Sequence, residues 1–509
     1  MNFTAELLQN GYVIIQDISV FMKPGYAGIA YSDGDATEKR IADVITEAQD
    51  ISIFSRELAA QCTDWPSLYH LAGTRANILR PFHSTLKQST VLEIGAGCGA
   101  ITRYLGECGA QVLALEGSPR RAAIARSRTR DLENVTVVAD KFDQFRYDTR
   151  FDVITLIGVL EYAPLFTDGE DPVVSMLSRV REMLKPKGRL ILAIENQLGL
   201  KYFAGAAEDH TGEPMLGIEG RYSTKGPRTF GRKALATKLQ QAGFVNQQFM
   251  APFPDYKLPT SILTEQGLNC DTFDAAALCW QSARRDPQLA SPLVFAPELA
   301  WPVVDANGLT LELSNSFLVA AQTSIEADHN NSILAYHYST NGRHAAFCKE
   351  TLFIQQDSCN IKLAYNLLDP RAKYSKEGNH ILFSISPKSE YVSGKLLSLQ
   401  FIRTVTRKNW HIKEVGKFLR MYLDIVQSYL VIKNQPTNFE SINSLLPGIC
   451  FDLVPQNIIC LDDGSYQIID QEWTLKDKMP LGWLLLRVLI QLISNITRFG
   501  KSLSKPLAT

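Results

Sequence analysis

Between residue 61 and about residue 260, short apolar runs rich in β-branched side chains alternate with amphipathic stretches of helix length. That rhythm predicts a βαβα chain and a parallel sheet covered by helices on both faces. Val91, Leu92 and Ile94 form the first strand, and Ile101, Tyr104 and Leu105 open a helix that Gly109 ends. QVLALEGS, NVTVVAD, FDVITLIGVLEYAP and LKPKGRLILAIEN supply four more strands. Residues 1–60 have no readable pattern and stand as an N-terminal extension. Pro287, Pro292, Pro297 and Pro302 crowd the stretch 286–310, which reads as a linker. Beyond it, over 311–509, the texture changes to strand-like segments, one long helix from about 412 to 433, and a short hairpin pattern. Val415, Phe418, Leu419, Tyr422, Val426, Tyr429 and Leu430 mark that helix at i, i+3, i+4, i+7 spacing. The expectation is an α/β, doubly wound Rossmann-like domain over 61–285 and an α+β domain over 311–509.

Composition narrows the class. At 509 residues the chain is long enough for two to four domains, and 45% apolar with 21% charged content is that of a globular protein. Its 52 basic and 53 acidic residues exclude a whole-chain basic footprint, so nucleic acid is not an expected partner. Nine cysteines without a C-x-x-C pair read as reduced cytoplasmic thiols. The start, MNFTAELLQNGYVII, has no basic segment and places Glu6 where a signal peptide is apolar. A cytoplasmic location is therefore expected. LGWLLLRVLIQLI, with Arg487 its one charge, is too short to span a bilayer. It reads as a buried helix closing the C-terminal region, with a peripheral contact at the inner membrane as the alternative.

The segment VLEIGAGCGAITRYLGECG places Gly95, Gly97 and Gly99 directly after a strand and before a helix. Glycine belongs there because the backbone must turn sharply and approach a ligand with no Cβ in the way. Gly95, Gly97 and Ala100 also satisfy a dinucleotide-binding pattern, so the turn alone does not choose a cofactor. The later strand ends do choose: Glu116 closes the second strand, Asp140 the third, Gly158 follows the fourth, and Lys-Pro-Lys-Gly precedes the fifth. These residues together resemble class I S-adenosylmethionine-dependent methyltransferases. The resemblance implies that Gly95, Gly97 and Gly99 meet the amino-acid end of the cofactor and that Glu93 belongs to the cofactor-binding set. It also implies that Glu116 holds the ribose hydroxyls, that Asp140 holds the adenine amine, and that Gly158 lies under the sulfonium.

A hydroxyl acceptor also needs a base beside the transferred methyl. The stretch after the fifth strand, IENQLGLKYFAGAAEDHTGEP, offers His210 with Asp209 and Glu208 beside it. Glu161 and Tyr162 are the next candidates. GVLEYAP, AIENQLGLKYFAGAAEDHTG, RTFGR and FPDYKLPT resemble a narrower group, the bacterial methyltransferases that accompany surface-polysaccharide (O-antigen) enzymes. That resemblance implies a glycan or sugar-phosphate substrate, and polysaccharide glycosyltransferases as partners.

The C-terminal region carries a second constellation. FDLVPQNIICLDDGSYQIIDQEW holds Asp452 and Asn457 at D-x-x-x-x-N spacing, a turn at Asp462-Asp463-Gly464, and then Asp470. Upstream, an Asn341-Gly342 turn leads into a strand carrying Lys349. The order resembles aminoglycoside- and choline-kinase-like domains, and bifunctional methyltransferase–kinases that modify the end of O-antigen chains. It implies ATP held by Lys349, a base at Asp452, and Mg²⁺ held by Asn457 and Asp470. Three departures stand against it. There is no Gly-rich phosphate loop near Ser316, no His-Arg before Asp452, and no clear Glu partner for Lys349 beyond the guesses Glu377 and Glu390.

Three readings follow. The first is a methyltransferase acting on a surface glycan and carrying a kinase-like domain. The second is an enzyme that phosphorylates the glycan and then methylates it. The third is a non-catalytic assembly protein of the polysaccharide machinery.

Overall fold

The computed structural model of the chain describes residues 3–29, 31–324, 332–358, 360–437 and 439–504. Its strands are β1 (Val13–Ile15), β2 (Val20–Met22), β3 (Thr90–Ile94), β4 (Gln111–Glu116), β5 (Val135–Ala139), β6 (Phe151–Ile157), β7 (Leu184–Glu195), β8 (Asn246–Phe253), β9 (Ser261–Thr264), β10 (Ser316–Gln322), β11 (Ile333–Ser339), β12 (Lys349–Gln355) and β13 (Ile361–Leu367). With the short strand Lys388–Glu390 they form one sheet, in the order β1-β2-β5-β4-β3-β6-β7-β10-β8-β9-β11-β12-β13 and then that strand. β5, β4, β3, β6 and β7 pair in parallel. Alternate residues of these strands enter opposite cores: Leu92, Leu113 and Leu115 lie on one face, and Val91, Val112 and Ala114 on the other. Burial on both faces is why they read as continuous apolar runs rather than alternating ones. The doubly wound Rossmann-like sheet expected from the sequence is present.

Its helices have local reasons to form. Helix Pro119–Arg128 has proline at its first position, and the Ser118 hydroxyl caps the Arg121 N–H. Helix Pro172–Glu182 repeats the device with Asp171 capping Val174. Helix Trp65–Leu71 starts from a reciprocal box between Asp64 and Ser67.

Two expected boundaries are corrected. β10 pairs antiparallel with β7 along Ser316↔Glu195 to Gln322↔Arg189, and with β8 on its other side. The doubly wound sheet therefore does not end at residue 285 but takes its last central strand from 316–322. The stretch 286–310 is not a linker either. Residues Pro297–Ala306 form a helix whose Trp301 is buried edge-on against Phe253, with ring centroids 4.9 Å apart. Glu298 on that helix accepts hydrogen bonds from the Thr497 N–H (2.9 Å) and hydroxyl (2.7 Å) near the C-terminus. Pro297 occupies a position where a helix has no use for an N–H, so proline marks a helix start there rather than a break.

The N-terminal extension also has a structural role. β1 and β2 form an antiparallel pair laid beside β5, with Phe21↔Val138 and Met22↔Ala139. Helix Asp35–Glu47 buries Ile41 and Ile45 with Ile124 of the sheet-covering helix. In the C-terminal region the long helix spans Ile412–Ile432 and the hairpin joins Ile458–Cys460 to Tyr466–Ile468. Helix Leu481–Ser494 is only half buried: Leu484 and Val488 face inward, while Trp483, Leu486 and Ile490 are 62%, 56% and 58% exposed. Among the described residues no helix is long and apolar enough to cross a membrane.

Candidate active site

A cavity opens where β3, β4 and β6 end, lined by Gly95, Gly97, Glu116, Asp140 and Gly158, while Gly99, the last glycine of the turn, packs away from it against Ala125. With Glu93, these are the sequence-predicted cofactor residues except Gly99. Gly99 has φ +86°, and a Cβ on it would lie 2.8 Å from the Cα of Ala125. Only glycine allows the turn to pass that close to helix Pro119–Arg128. Glu116 is buried, and its two oxygens accept from the Gly97 N–H (2.8 Å) and the Ser118 N–H (2.9 Å). Asp140 accepts from the Lys141 N–H at 2.8 Å and from the Tyr12 hydroxyl at 2.5 Å, with the Lys23 ammonium 3.3 Å away.

Tyr12 and Lys23 belong to the extension that the sequence left unread, as does Tyr31, whose hydroxyl lies 3.2 Å from that of Tyr162 in the cavity wall. His70 and Arg121 also line the cavity, both reaching toward Asp33 (2.9 and 3.7 Å). These contacts join residues up to 131 positions apart, and no local spacing announces them.

Glu93 lies under the turn, fully buried, with Oε2 lacking a hydrogen-bond partner. Burial, with the charge of Glu116 adding to it, pushes its carboxyl up to about 7. A folded-state value above the unfolded one means the folded protein binds the extra proton. The group costs nothing below about pH 4.5, and the cost grows as pH rises to 7. Glu93→Gln is therefore expected to stabilise the ligand-free protein above pH 7 by up to about 3 kcal/mol and to leave it unchanged near pH 4. Melting temperatures of both proteins between pH 4.5 and 8 check this, and parallel curves would contradict it.

Beside the cavity lies a buried polar cluster. Gly158 has φ +68°, and a Cβ there would come within 2.6 Å of the Tyr256 hydroxyl and 3.6 Å of Glu161 Oε1. His210 Nε2 faces Glu161 Oε1 at 3.7 Å and Glu195 Oε2 at 4.0 Å, and its Nδ1 sits 3.0 Å from Glu208 Oε1. Burial works against charge on the imidazole, but Glu195, Glu161 and Glu208 overcome it and raise His210 to about 11. Burial and the neighbouring Glu195 raise Glu161 as well.

Asp209 does not share this position, which corrects its assignment beside His210. Its carboxylate is taken up by Lys201 (3.0 Å), Lys257 (3.0 Å) and the Tyr202 hydroxyl. Burial alone would raise it, and the two ammonium groups hold it far below the usual carboxylate range instead. Lys257 in turn meets Glu195 Oε1 at 2.6 Å. Glu195 and Tyr256 are the members that sequence reasoning passed over. Both stand in phrases already singled out, AIEN and FPDYKLPT.

The second constellation also assembles. Lys349 Nζ, buried at the start of β12, lies 2.6 Å from Asp470 Oδ1. The Asn457 carboxamide donates to the Asp452 carbonyl (3.0 Å) and the Asp470 carbonyl (3.3 Å). Asp452 Oδ2 accepts the N–H groups of Glu472 and Trp473 at 2.9 and 3.1 Å. The partner of Lys349 is Glu472, also held by Arg343 at 2.7 Å. Neither earlier guess fills that role: Glu377 pairs with Lys476 at 2.6 Å, and Glu390 sits exposed on the sheet edge.

Residues 92–190 match the family model described as a methyltransferase domain. A demethylmenaquinone methyltransferase of Tropheryma whipplei is 33% identical over 102 residues, 20% of this chain and 40% of that one. A ubiquinone biosynthesis O-methyltransferase of Histophilus somni is 27% identical over 143 residues, 26% of this chain and 56% of that one. The chain thus spans about half or less of these relatives. Among solved structures, the N-methyltransferase NodS of Bradyrhizobium japonicum, in complex with S-adenosyl-L-homocysteine, is 19% identical with a TM-score of 0.27, covering 42% of this chain and 90% of that one.

The chain carries a class I S-adenosylmethionine-dependent methyltransferase domain. The cavity fits that cofactor. Its glycines leave a cradle that a Cβ would fill, Glu93 keeps a buried oxygen without a partner, and Glu116 and Asp140 are carboxylates fixed by protein donors.

Proposed function

We propose that the chain methylates a hydroxyl of a sugar or sugar phosphate belonging to a bacterial surface polysaccharide, at the cluster of Glu161, Glu195 and His210. One observation carries this reading. The four phrases that resemble the polysaccharide-associated methyltransferases, scattered from residue 158 to 260, meet in space around that cluster. GVLEYAP brings Glu161, and AIENQLGLKYFAGAAEDHTG brings Glu195, Glu208 and His210. FPDYKLPT brings Tyr256 and Lys257, and the Arg228 N–H, at the start of RTFGR, donates to the Glu161 carbonyl at 2.9 Å.

When bound, S-adenosylmethionine supplies a methyl on a positively charged sulfur, which keeps the bonding pair as the acceptor oxygen bonds to carbon. The chain's own work is to place that oxygen in line, exclude water and take the hydroxyl proton. Gly158 leaves the approach open, and the carboxylates beside it accept the hydrogen bonds of the acceptor. The enzyme works in the cytoplasm beside the glycosyltransferases that build the chain. The exposed stripe of Trp483, Leu486 and Ile490 supports a peripheral contact with the inner membrane.

A second reading, a kinase joined to the methyltransferase, is favoured by the meeting of Lys349, Asp452, Asn457 and Asp470. One experiment tests both, because a ligand that binds only the native state raises the melting temperature. S-Adenosylhomocysteine is expected to stabilise the protein, and no effect on a folded sample would remove the methyltransferase reading. Stabilisation by Mg²⁺·ATP that is lost in Asp470→Ala would promote the second reading. A protein that binds both ligands yet transfers neither group to glycan would be an assembly module.

A further inference from the structure

The cluster beside Gly158 has a charge problem that its own side chains do not solve. Glu161, Glu195, Glu208, Asp209 and Asp255 are five buried carboxylates, and the cations packed among them are Lys201, Lys257 and the His210 ring. Lys201 and Lys257 are already committed to Asp209, Asp255 and one oxygen of Glu195. Among the described residues, Glu161 Oε2 and Glu195 Oε2 have no hydrogen-bond partner, although their side chains are 98% and 99% removed from solvent. A buried carboxylate oxygen without a donor is costly, and such an atom points to a ligand.

The imidazole is arranged to complete a coordination set. Its Nδ1 is anchored by Glu208, the outer carboxylate that fixes ring orientation in histidine–metal sites, and its Nε2 faces the two glutamates. The separations of 3.7 and 4.0 Å are too long for hydrogen bonds. Donors on an ion with bonds of about 2.1 Å stand roughly 3.0 Å apart at right angles and 3.4 Å at the tetrahedral angle. The two imidazole–carboxylate separations exceed those values by 0.3–1.0 Å, so the side chains must draw in by up to about 1 Å to seat an ion. One ligand atom from each of Glu161, Glu195 and His210 already lies within 4.8 Å of the others. Glu195 is braced in turn through its other oxygen by Lys257 and by the Tyr256 hydroxyl at 3.3 Å.

We propose that Glu161, Glu195 and His210 bind a first-row divalent cation, of the Mn²⁺ or Zn²⁺ class, whose open positions take the oxygen of the methyl acceptor. One nitrogen and two carboxylate donors suit such ions better than Mg²⁺ or Ca²⁺, which favour all-oxygen sites. The inference rests on reading this cluster as the acceptor site, and it makes the ion the group that polarises the hydroxyl there.

The test is a titration of the EDTA-dialysed full chain with MnCl₂, following free Mn²⁺ by electron paramagnetic resonance, with S-adenosylhomocysteine affinity measured on the same samples. One Mn²⁺ per chain is expected, with at least tenfold weaker binding in His210→Ala and in Glu195→Gln, and unchanged binding in Glu390→Gln, an exposed carboxylate at the sheet edge. Coupling of the bound Mn²⁺ to a ¹⁴N nucleus, absent in His210→Ala, would place the imidazole in the coordination shell. The proposal is overturned if a chain that binds S-adenosylhomocysteine takes up no stoichiometric Mn²⁺. It is equally overturned if the Mn²⁺ survives His210→Ala but is lost in Asp470→Ala, or if the cluster proves to hold an ammonium acceptor in the absence of metal. A chain that binds Mn²⁺ through His210 but not S-adenosylhomocysteine would instead uphold the ion and sink the methyltransferase reading.

Discussion

His210→Ala and Glu161→Gln are expected to lower kcat for methyl transfer roughly a hundredfold to ten-thousandfold, while affinity for S-adenosylhomocysteine stays within about twofold. The split follows from where the two groups sit. Glu161 lies beside Gly158 and His210 packs against Glu161 and against Tyr162 of the cavity wall, whereas Glu116, Asp140, Gly95 and Gly97 line the cavity itself. Removing the acceptor's partners therefore leaves the cofactor cradle intact. A loss of interactions made mainly in the transition state should appear in kcat and in kcat/KM alike. Asp209→Asn should behave differently: it leaves Lys201 and Lys257 short of a partner, so its effect should be lost stability. If His210→Ala instead keeps its rate, the acceptor site lies elsewhere and the convergence of the four phrases is structural.

What could be read from the chain and what could not divide along the range of the interactions. The Gly95–Gly99 turn, the acidic ends of β4 and β5, and the helix from Ile412 are written in neighbouring residues, because strand, turn and helix periodicities repeat over two to four positions. The partners that make those residues work are not. Tyr12 reaches Asp140 across 128 positions, and β10 slides between β7 and β8 from beyond a stretch that looked like a boundary. SFLVAAQ reads as a buried strand, but nothing within it names the sheet it joins. The prolines of 286–310 misled for a related reason. Pro297 stands at the first position of a helix, where proline is tolerated, and Pro302 lies inside the same helix without ending it. Adjacency alone groups Glu208 and Asp209 with His210. In the folded loop Glu208 braces the ring and Asp209 joins a buried lysine network.

The same contrast governs the last prediction, because the missing partner of Lys349 was two residues beyond an acid already chosen. Lys349 is 1% exposed and sits against Asp470 and Glu472, and Glu472 is itself buried. Two carboxylates held by one buried ammonium, with Arg343 on the far oxygen of Glu472, stand or fall together. Lys349→Met keeps most of the side-chain volume but leaves the buried Glu472 with Arg343 alone, and breaking a buried pair typically costs about 3–5 kcal/mol. The expected result is a melting transition roughly 5–10 °C lower. Adding Glu472→Gln should recover much of it, since the second change removes the stranded charge. Acid supplies an independent check. Partial desolvation would raise the Asp470 carboxyl, which keeps 38% of its side chain exposed, but Lys349 overcomes it and holds the group below its ordinary value. A depressed carboxylate contributes stability that is full above the ordinary carboxylate range and lost as pH falls through it. Lys349→Met should therefore flatten the acid side of the stability profile as well as lower it. A shift of less than about 1 kcal/mol would mean that water, not Lys349, compensates these carboxylates. In that case the meeting of Lys349 with Asp470 would no longer favour a nucleotide site.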